Sequence, residues 1–145
     1  MSLPLPTPPR PAADAVAAVI AALHARLGNR AVTSTSVREQ HSHGEGLPTI
    51  GLPDVVAFPN DNEEVAFILK TCNDARVPVV PFGAGSSLEG QLAALSGGVS
   101  IDMQNFNAVL EVSPDSMDCR VQAGVTREAL NTHIRDTGLF FPVDP

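Results

Sequence analysis

The segment Phe82-Gly83-Ala84-Gly85-Ser86-Ser87-Leu88-Glu89-Gly90 is the part of this sequence best equipped for chemistry. Glycines carry no Cβ, so successive backbone N–H groups can turn into one concavity, and the Ser86 and Ser87 hydroxyls add further donors. Such a nest suits phosphate or diphosphate oxygens, and it follows directly on the apolar run Val77-Pro78-Val79-Val80-Pro81. Its spacing separates it from two other phosphate loops. G-x-G-x-x-x-x-G is not the G-x-G-x-x-G of a dinucleotide-binding turn, the lysine of a P-loop is missing, and no strong helix pattern follows Gly90. Amides and hydroxyls would hold the diphosphate here, rather than a helix N-terminus and a lysine. On spacing alone, a plain Gly/Ser turn between strands is the commoner origin of such a segment.

The other chemically capable residues are weaker candidates. His41 and His43 stand beside Glu45, a conceivable set of metal ligands, but no third cluster supports them and a solvated polar loop is the favoured reading. His24 falls on the polar side of its helix, and His133 lies on the final helix without a paired carboxylate; both read as surface histidines. Asp115 and Asp118 suit a turn, and Asp61 with Glu64 a helix cap, so no carboxylate pair invites an acid/base role. Cys72 fits a buried helix face and Cys119 the start of a strand, neither with the basic surroundings of a reactive thiolate.

The elements that would position these residues can be read from periodicity. Val16, Val19, Ile20, Leu23 and Leu27 recur at helical spacing from Ala12 up to Gly28. Residues 30–50 read as a long polar loop with a short strand around Val32 to Val37. Asp54 to Pro59 reads as a strand, and Asp61 with Glu64 matches a capping box for a helix that buries Val65, Ile68, Leu69 and Cys72. Val77 to Pro81 is the strand before the Gly/Ser loop. Gly98 to Met103, Ala108 to Val112 and Cys119 to Ala123 supply three more, the last two joined by a Pro114-Asp115 turn. Thr126 caps a final helix with Leu130 and Ile134 inward, closed by Gly138. The order predicts an α+β fold, a mixed sheet flanked by helices.

Composition narrows the function classes. The 145 residues hold 9 Lys+Arg against 16 Asp+Glu, a net charge of -7, with no basic cluster, which argues against nucleic acid and anionic membranes as partners. Trp and Tyr are absent and only 6 Phe are present, so aromatic platforms for exposed bases are lacking. No apolar run reaches the ~20 residues that would cross a bilayer. With two isolated cysteines, the expectation is a reduced chain in the cytoplasm, at most peripheral to a membrane. Residues 1–11, rich in proline, read as a flexible tail, and 12–145 as the folded part.

The run Pro78 to Gly90 resembles the flavin-diphosphate loop of the vanillyl-alcohol-oxidase (PCMH) type FAD-binding domain. Three further segments resemble it in order and spacing: Val37-Arg38-Glu39-Gln40-His41, Gly124-Val125-Thr126-Arg127-Glu128-Ala129-Leu130-Asn131, and Gly138-Leu139-Phe140-Phe141-Pro142-Val143-Asp144-Pro145. Together they look most like the D-lactate dehydrogenase (cytochrome) branch and the glycolate oxidase flavoprotein subunit. The resemblance implies that Gly83, Ala84, Gly85, Ser86 and Ser87 bind the FAD diphosphate, with Phe82 at the entrance. It also places Ala123 and Gly124 near the adenosine end, and Asp144 and Pro145 at the start of a second flavin-contacting stretch. Some relatives carry a flavin-linked histidine at the position of Ser86; serine cannot form that bond, so the implied FAD is non-covalent. After His41 the branch usually shows an acidic pair and a serine, where this chain reads Ser42-His43-Gly44-Glu45-Gly46.

What the resemblance implies for function is oxidation of a D-2-hydroxy acid, D-lactate or glycolate, to the 2-oxo acid by an FAD-dependent oxidoreductase. Its electron acceptor is unassigned. The family domain continues past Pro145 and is followed by a substrate domain with the catalytic residues, so the chain is expected to be the N-terminal part of a larger enzyme, inactive by itself. A non-catalytic nucleotide-binding module, or a fragment that binds nothing, is the alternative.

Overall fold

The computed structural model describes residues 9–44 and 51–143. In chain order the elements are α1 (Ala13–Leu27), β1 (Ala31–Val32), α2 (Thr35–Gln40), β2 (Val55–Ala57), α3 (Asn62–Asp74), β3 (Val79–Phe82), β4 (Val99–Asp102), β5 (Val109–Ser113), β6 (Asp118–Val121) and α4 (Arg127–Ile134). Four strands form a mixed sheet in the order β1-β2-β4-β3, with β1 antiparallel to β2 and the other neighbours parallel. The expected mixed sheet with flanking helices is present. β5 and β6 stand apart as a two-stranded antiparallel hairpin packed near α4.

One face of the sheet makes the core. Val55 and Ala57 of β2 sit in register with Val99 and Ile101 of β4, and all four pack against Val19, Leu23 and Leu27 of α1 and Ile68 and Cys72 of α3. Strand alternation sends Val56, Ser100 and Asp102 to the opposite face, where they are also buried. Parallel strands buried on both faces usually read as short apolar runs, as β2 does, whereas β4 alternates Val99-Ser100-Ile101-Asp102 and buries its polar members as well.

Several local expectations are met in detail. α3 starts at Asp61, whose carboxylate accepts the Glu64 amide at 2.8 Å, and α4 starts at Thr126, whose hydroxyl accepts the Ala129 amide. The capping box is not reciprocal, however. Glu64 turns inward, accepts the Asn60 amide and takes both guanidinium nitrogens of Arg30 at 2.5 and 2.6 Å. Arg30 also donates to the Phe58 carbonyl, joining α3 to the start of β1.

Two expectations fail. Residues 30–44 are not a long loop, for β1 and the helix α2 occupy most of them. α2 has no apolar stripe, and its cap residue Ser34 makes no side-chain capping bond. Tertiary contacts hold it instead, chiefly Arg38 donating to the Pro53 carbonyl and His41 tucked under its end. Leu69 is 47% exposed because the inward line of α3 runs Glu64, Ile68, Cys72, leaving Leu69 about 100° round the helix.

Candidate functional site

The Gly/Ser loop owes its form to the topology. β3 and β4 are parallel neighbours, so the chain must cross back between them, usually through an α-helix. Here the crossover 83–98 contains no helix. Its second half closes on itself through Ala93 N–H to Gly90 O and Gly97 N–H to Ala94 O. In the first half, among the described residues, the amides of Gly83, Ala84, Gly85, Ser86 and Ser87 donate no hydrogen bond. The five residues line a cavity of about 450 Å³. Gly85 lies at φ +76°, where L side chains are strained, and a Cβ on it would stand 2.9 Å from the Phe82 ring.

A second cavity of about 530 Å³ adjoins the first through Gly83 and Ala84, and it adds Phe82, Gly124, His41 and Asp102 to the wall. Gly124 is held there by its amide bond to the Phe106 carbonyl at 2.8 Å, and any Cβ on it would meet the Met103 and Phe106 carbonyls. Gly44 is likewise pressed against the Ser87 carbonyl, which leaves no room for a side chain. The structure therefore brings Phe82, Gly83, Ala84, Gly85, Ser86, Ser87 and Gly124 around two joined cavities. Ala123 is exposed and lines neither, and Asp144 and Pro145 lie outside the described residues. The Ser87 hydroxyl donates to the Gln91 side chain rather than standing free.

The principal correction concerns His41. It is 6% exposed, with Nδ1 2.8 Å from the Val37 carbonyl and Nε2 2.8 Å from Asp102 Oδ2, so it does not belong to a solvated loop. Burial opposes its charge, but the hydrogen bonds to Asp102 and Val37 outweigh that and hold the imidazole above its usual range. Its ring lies 4.3 Å from that of Phe82 and meets Phe58 edge-on at 5.7 Å. Spacing could not reveal the pair, whose members are 61 positions apart. The available signal was Asp102 itself, a carboxylate ending an apolar strand, which demands a buried partner.

The remaining candidates play no part in the cavities. Among the described residues no three His, Cys, Asp or Glu side chains are grouped to hold a metal ion; Glu45 lies outside them. His24 and His133 are exposed. Burial pushes the Cys72 thiol up to about 11, and Cys119 is exposed and free. No helix among the described residues is long and apolar enough to cross a membrane.

Comparison with known proteins places this geometry. The chain is 42% identical over 132 residues to the probable mitochondrial D-lactate dehydrogenase of Danio rerio, covering 90% of this chain and 27% of that protein. It is 34% identical over 94 residues to a glycolate oxidase subunit of Bacillus subtilis, covering 65% of this chain and 20% of that one. Alkyldihydroxyacetonephosphate synthase superposes with a TM-score of 0.77 at 25% identity, over 95% of this chain and 30% of its own. The chain thus spans about a quarter or less of the length of the curated relatives it matches. A family model described as FAD binding domain matches residues 53–145, from the approach to β2 through the Gly/Ser loop, β4 and α4. With that match over three of the four sheet strands and the Gly/Ser loop, the chain belongs to the FAD binding domain family, with the α/β fold of the vanillyl-alcohol-oxidase type.

Proposed function

We propose that residues 83–87 cradle the diphosphate of non-covalently bound FAD, in a flavoprotein that oxidises a D-2-hydroxy acid such as D-lactate or glycolate to its 2-oxo acid. The observation that carries this reading is the crossover 83–98, which keeps five successive amides out of secondary structure at the wall of a cavity. Donors aimed into one concavity stabilise an anion without a lysine. The residues fit the group: Gly85 occupies a left-handed position against Phe82, and Gly124 lets the wall of the adjoining cavity close. Ser86, unlike histidine, offers no nitrogen for a bond to the flavin ring, which supports dissociable FAD.

When bound, the flavin supplies the electron-accepting centre for the oxidation. This chain's own residues bind and orient. The amides meet the diphosphate charge, Phe82 stands at the entrance at the end of β3, and Gly124 keeps the neighbouring wall close. The substrate class rests on the relatives, among them the Danio rerio D-lactate dehydrogenase and the Bacillus subtilis glycolate oxidase subunit. A cytoplasmic site for the protein rests on its unpaired cysteines.

FAD titration tests the cradle. Flavin fluorescence is quenched saturably as protein is added, ADP reverses the quenching by competing for the diphosphate site, and Tm rises with FAD concentration. Without Trp or Tyr the protein itself absorbs little in the ultraviolet aromatic band, so bound flavin dominates the spectrum there as well as in its own near-ultraviolet and blue bands. Absence of quenching and of any thermal shift refutes the cradle. Turnover of D-lactate but not L-lactate by the longer protein supports the substrate class, and indifference to D-lactate and glycolate alike removes it.

A further inference from the structure

The wall of the second cavity contains a buried His–Asp pair to which the FAD reading gives no role. His41 sits at the end of α2 with both ring nitrogens facing acceptors: the Val37 carbonyl at Nδ1 and Asp102 Oδ2 at Nε2. A carbonyl can only accept, and Asp102 also acts as an acceptor at its other oxygen, which takes the Gln104 amide at 2.7 Å. A neutral imidazole carries one N–H and would leave an acceptor facing an acceptor in a buried place. The imidazolium satisfies both bonds. Its ring packs on Phe82 at 4.3 Å, and Phe82 in turn packs on Gly85, where the chain turns at φ +76°.

Resting on the FAD reading above, we propose that His41 is a positioning residue for the diphosphate cradle. As an imidazolium between Val37 and Asp102 it fixes Phe82, and through Phe82 the turn at Gly85, so that FAD binds tightly while the ring is charged and weakly once it is neutral. Two effects act in the same direction. Loss of the proton breaks one of the two ring bonds and frees Phe82 to shift against the turn. It also leaves the Asp102 carboxylate as an uncompensated buried anion in the wall of a cavity shared with Gly83 and Ala84, where it repels the diphosphate.

Other groups around His41 do not supply the same switch. On β4 the facing group is Asp102, while β3 and β2 present Phe82 and, just past its end, Phe58. On α2 itself Arg38 turns away to the Pro53 carbonyl, and Glu39 and Gln40 are exposed. His43, just beyond, is exposed and points at its neighbour's carbonyl. Gln104, Gly124 and Thr126, which complete the cavity wall, do not titrate.

The experiment follows the whole 145-residue chain from pH 6 to pH 9, with the imidazole 15N signals and the Gly83 and Gly85 amide resonances read by NMR, and FAD affinity by fluorescence titration. We expect both ring nitrogens protonated at pH 6, and both glycine amides shifting with the same midpoint as the ring. The Kd for FAD should rise about tenfold across that midpoint, the worth of roughly one charge-assisted hydrogen bond. His41→Gln should flatten the pH profile and fix the affinity near its weak limit, whereas the nearly isosteric Asp102→Asn, which removes the buried anion and can donate to a neutral ring, should flatten the profile and hold the affinity above that limit. A singly protonated ring at pH 6, glycine amides that ignore the ring's midpoint, or variants that keep the wild-type profile overturn the proposal. Should FAD fail to bind at every pH, the cradle reading falls, while the glycine resonances still decide whether His41 sets the loop. Because the wild-type titration needs no substitution, a variant that fails to fold leaves the decision intact.

Discussion

Alanine at Gly85 and alanine at Gly83 should separate the loop's shape from its function. Gly85 lies at φ +76°, and placing an L residue in that region costs about 1–2 kcal/mol. The new Cβ would also stand 2.9 Å from the Phe82 ring, which must move away from His41. For a chain of this size that corresponds to a fall in Tm of roughly 3–8 °C. Gly83 is different, since it lies outside the left-handed region and a Cβ there meets nothing within 4 Å. Gly83→Ala should therefore leave Tm within about 1–2 °C of wild type, a surface-type change of under ~0.5 kcal/mol. Its methyl enters the space where the two cavities join, so FAD affinity should drop at least about tenfold, or ~1.4 kcal/mol. Thermal melts without ligand and flavin fluorescence titrations measure the two effects independently. Equal Tm losses in both variants would mean that the left-handed turn is not what strains the loop. Unchanged FAD affinity in Gly83→Ala would remove the amide cradle from the argument.

Other consequences are open to direct measurement. Arg30→Met leaves the Glu64 carboxylate buried with the Asn60 amide as its remaining bond, and should lower urea-derived stability by about 3–5 kcal/mol. The Arg30 guanidinium holds Glu64 well below the carboxylate range, at about 2 against an ordinary 4.5, so the pair's contribution is full above pH 4.5. That contribution should be lost over the window from pH 4.5 down to about 2, and Arg30→Met should lack that acid limb. Gly124→Ala drives a Cβ into the Met103 and Phe106 carbonyls, and should cost about 1–3 kcal/mol while abolishing FAD quenching; wild-type binding would show that this wall can yield. A thiol reagent should titrate Cys119 at once and Cys72 only on unfolding, and two fast thiols in the native protein would contradict the packing of α3.

Much of the fold was legible because its strongest signals are local. α1 and α4 follow from apolar spacing and from residues such as Thr126 and Gly138, and the strand-helix pair β2-α3 from the Asp61 cap. The irregular form of the Gly/Ser loop was legible too, since glycine spacing is itself a backbone constraint. What escaped is held by distant partners. α2 has too little apolar content to be a helix on its own account, and exists because Arg38 and His41 reach other elements. His41 looked like a solvated histidine because its partner arrives on β4. Leu69 was placed inside by a stripe drawn one position too wide, and the inward turn of Glu64 required Arg30, which a capping motif does not mention.

The strand order has a consequence for how the protein is made. β2 and β3 flank β4, yet β4 is the last of the three to leave the ribosome. Until it emerges, the two earlier parallel strands have a gap between them and Phe82 has no neighbour carrying Asp102. The central strand must then slot into place, a step of long sequence separation that is slow compared with forming α1 or α3. Competence for the cofactor should therefore appear in the final kinetic phase of folding, as one event with sheet closure. Until then the nascent chain exposes two unpaired apolar strand edges, the stage at which it is most exposed to aggregation.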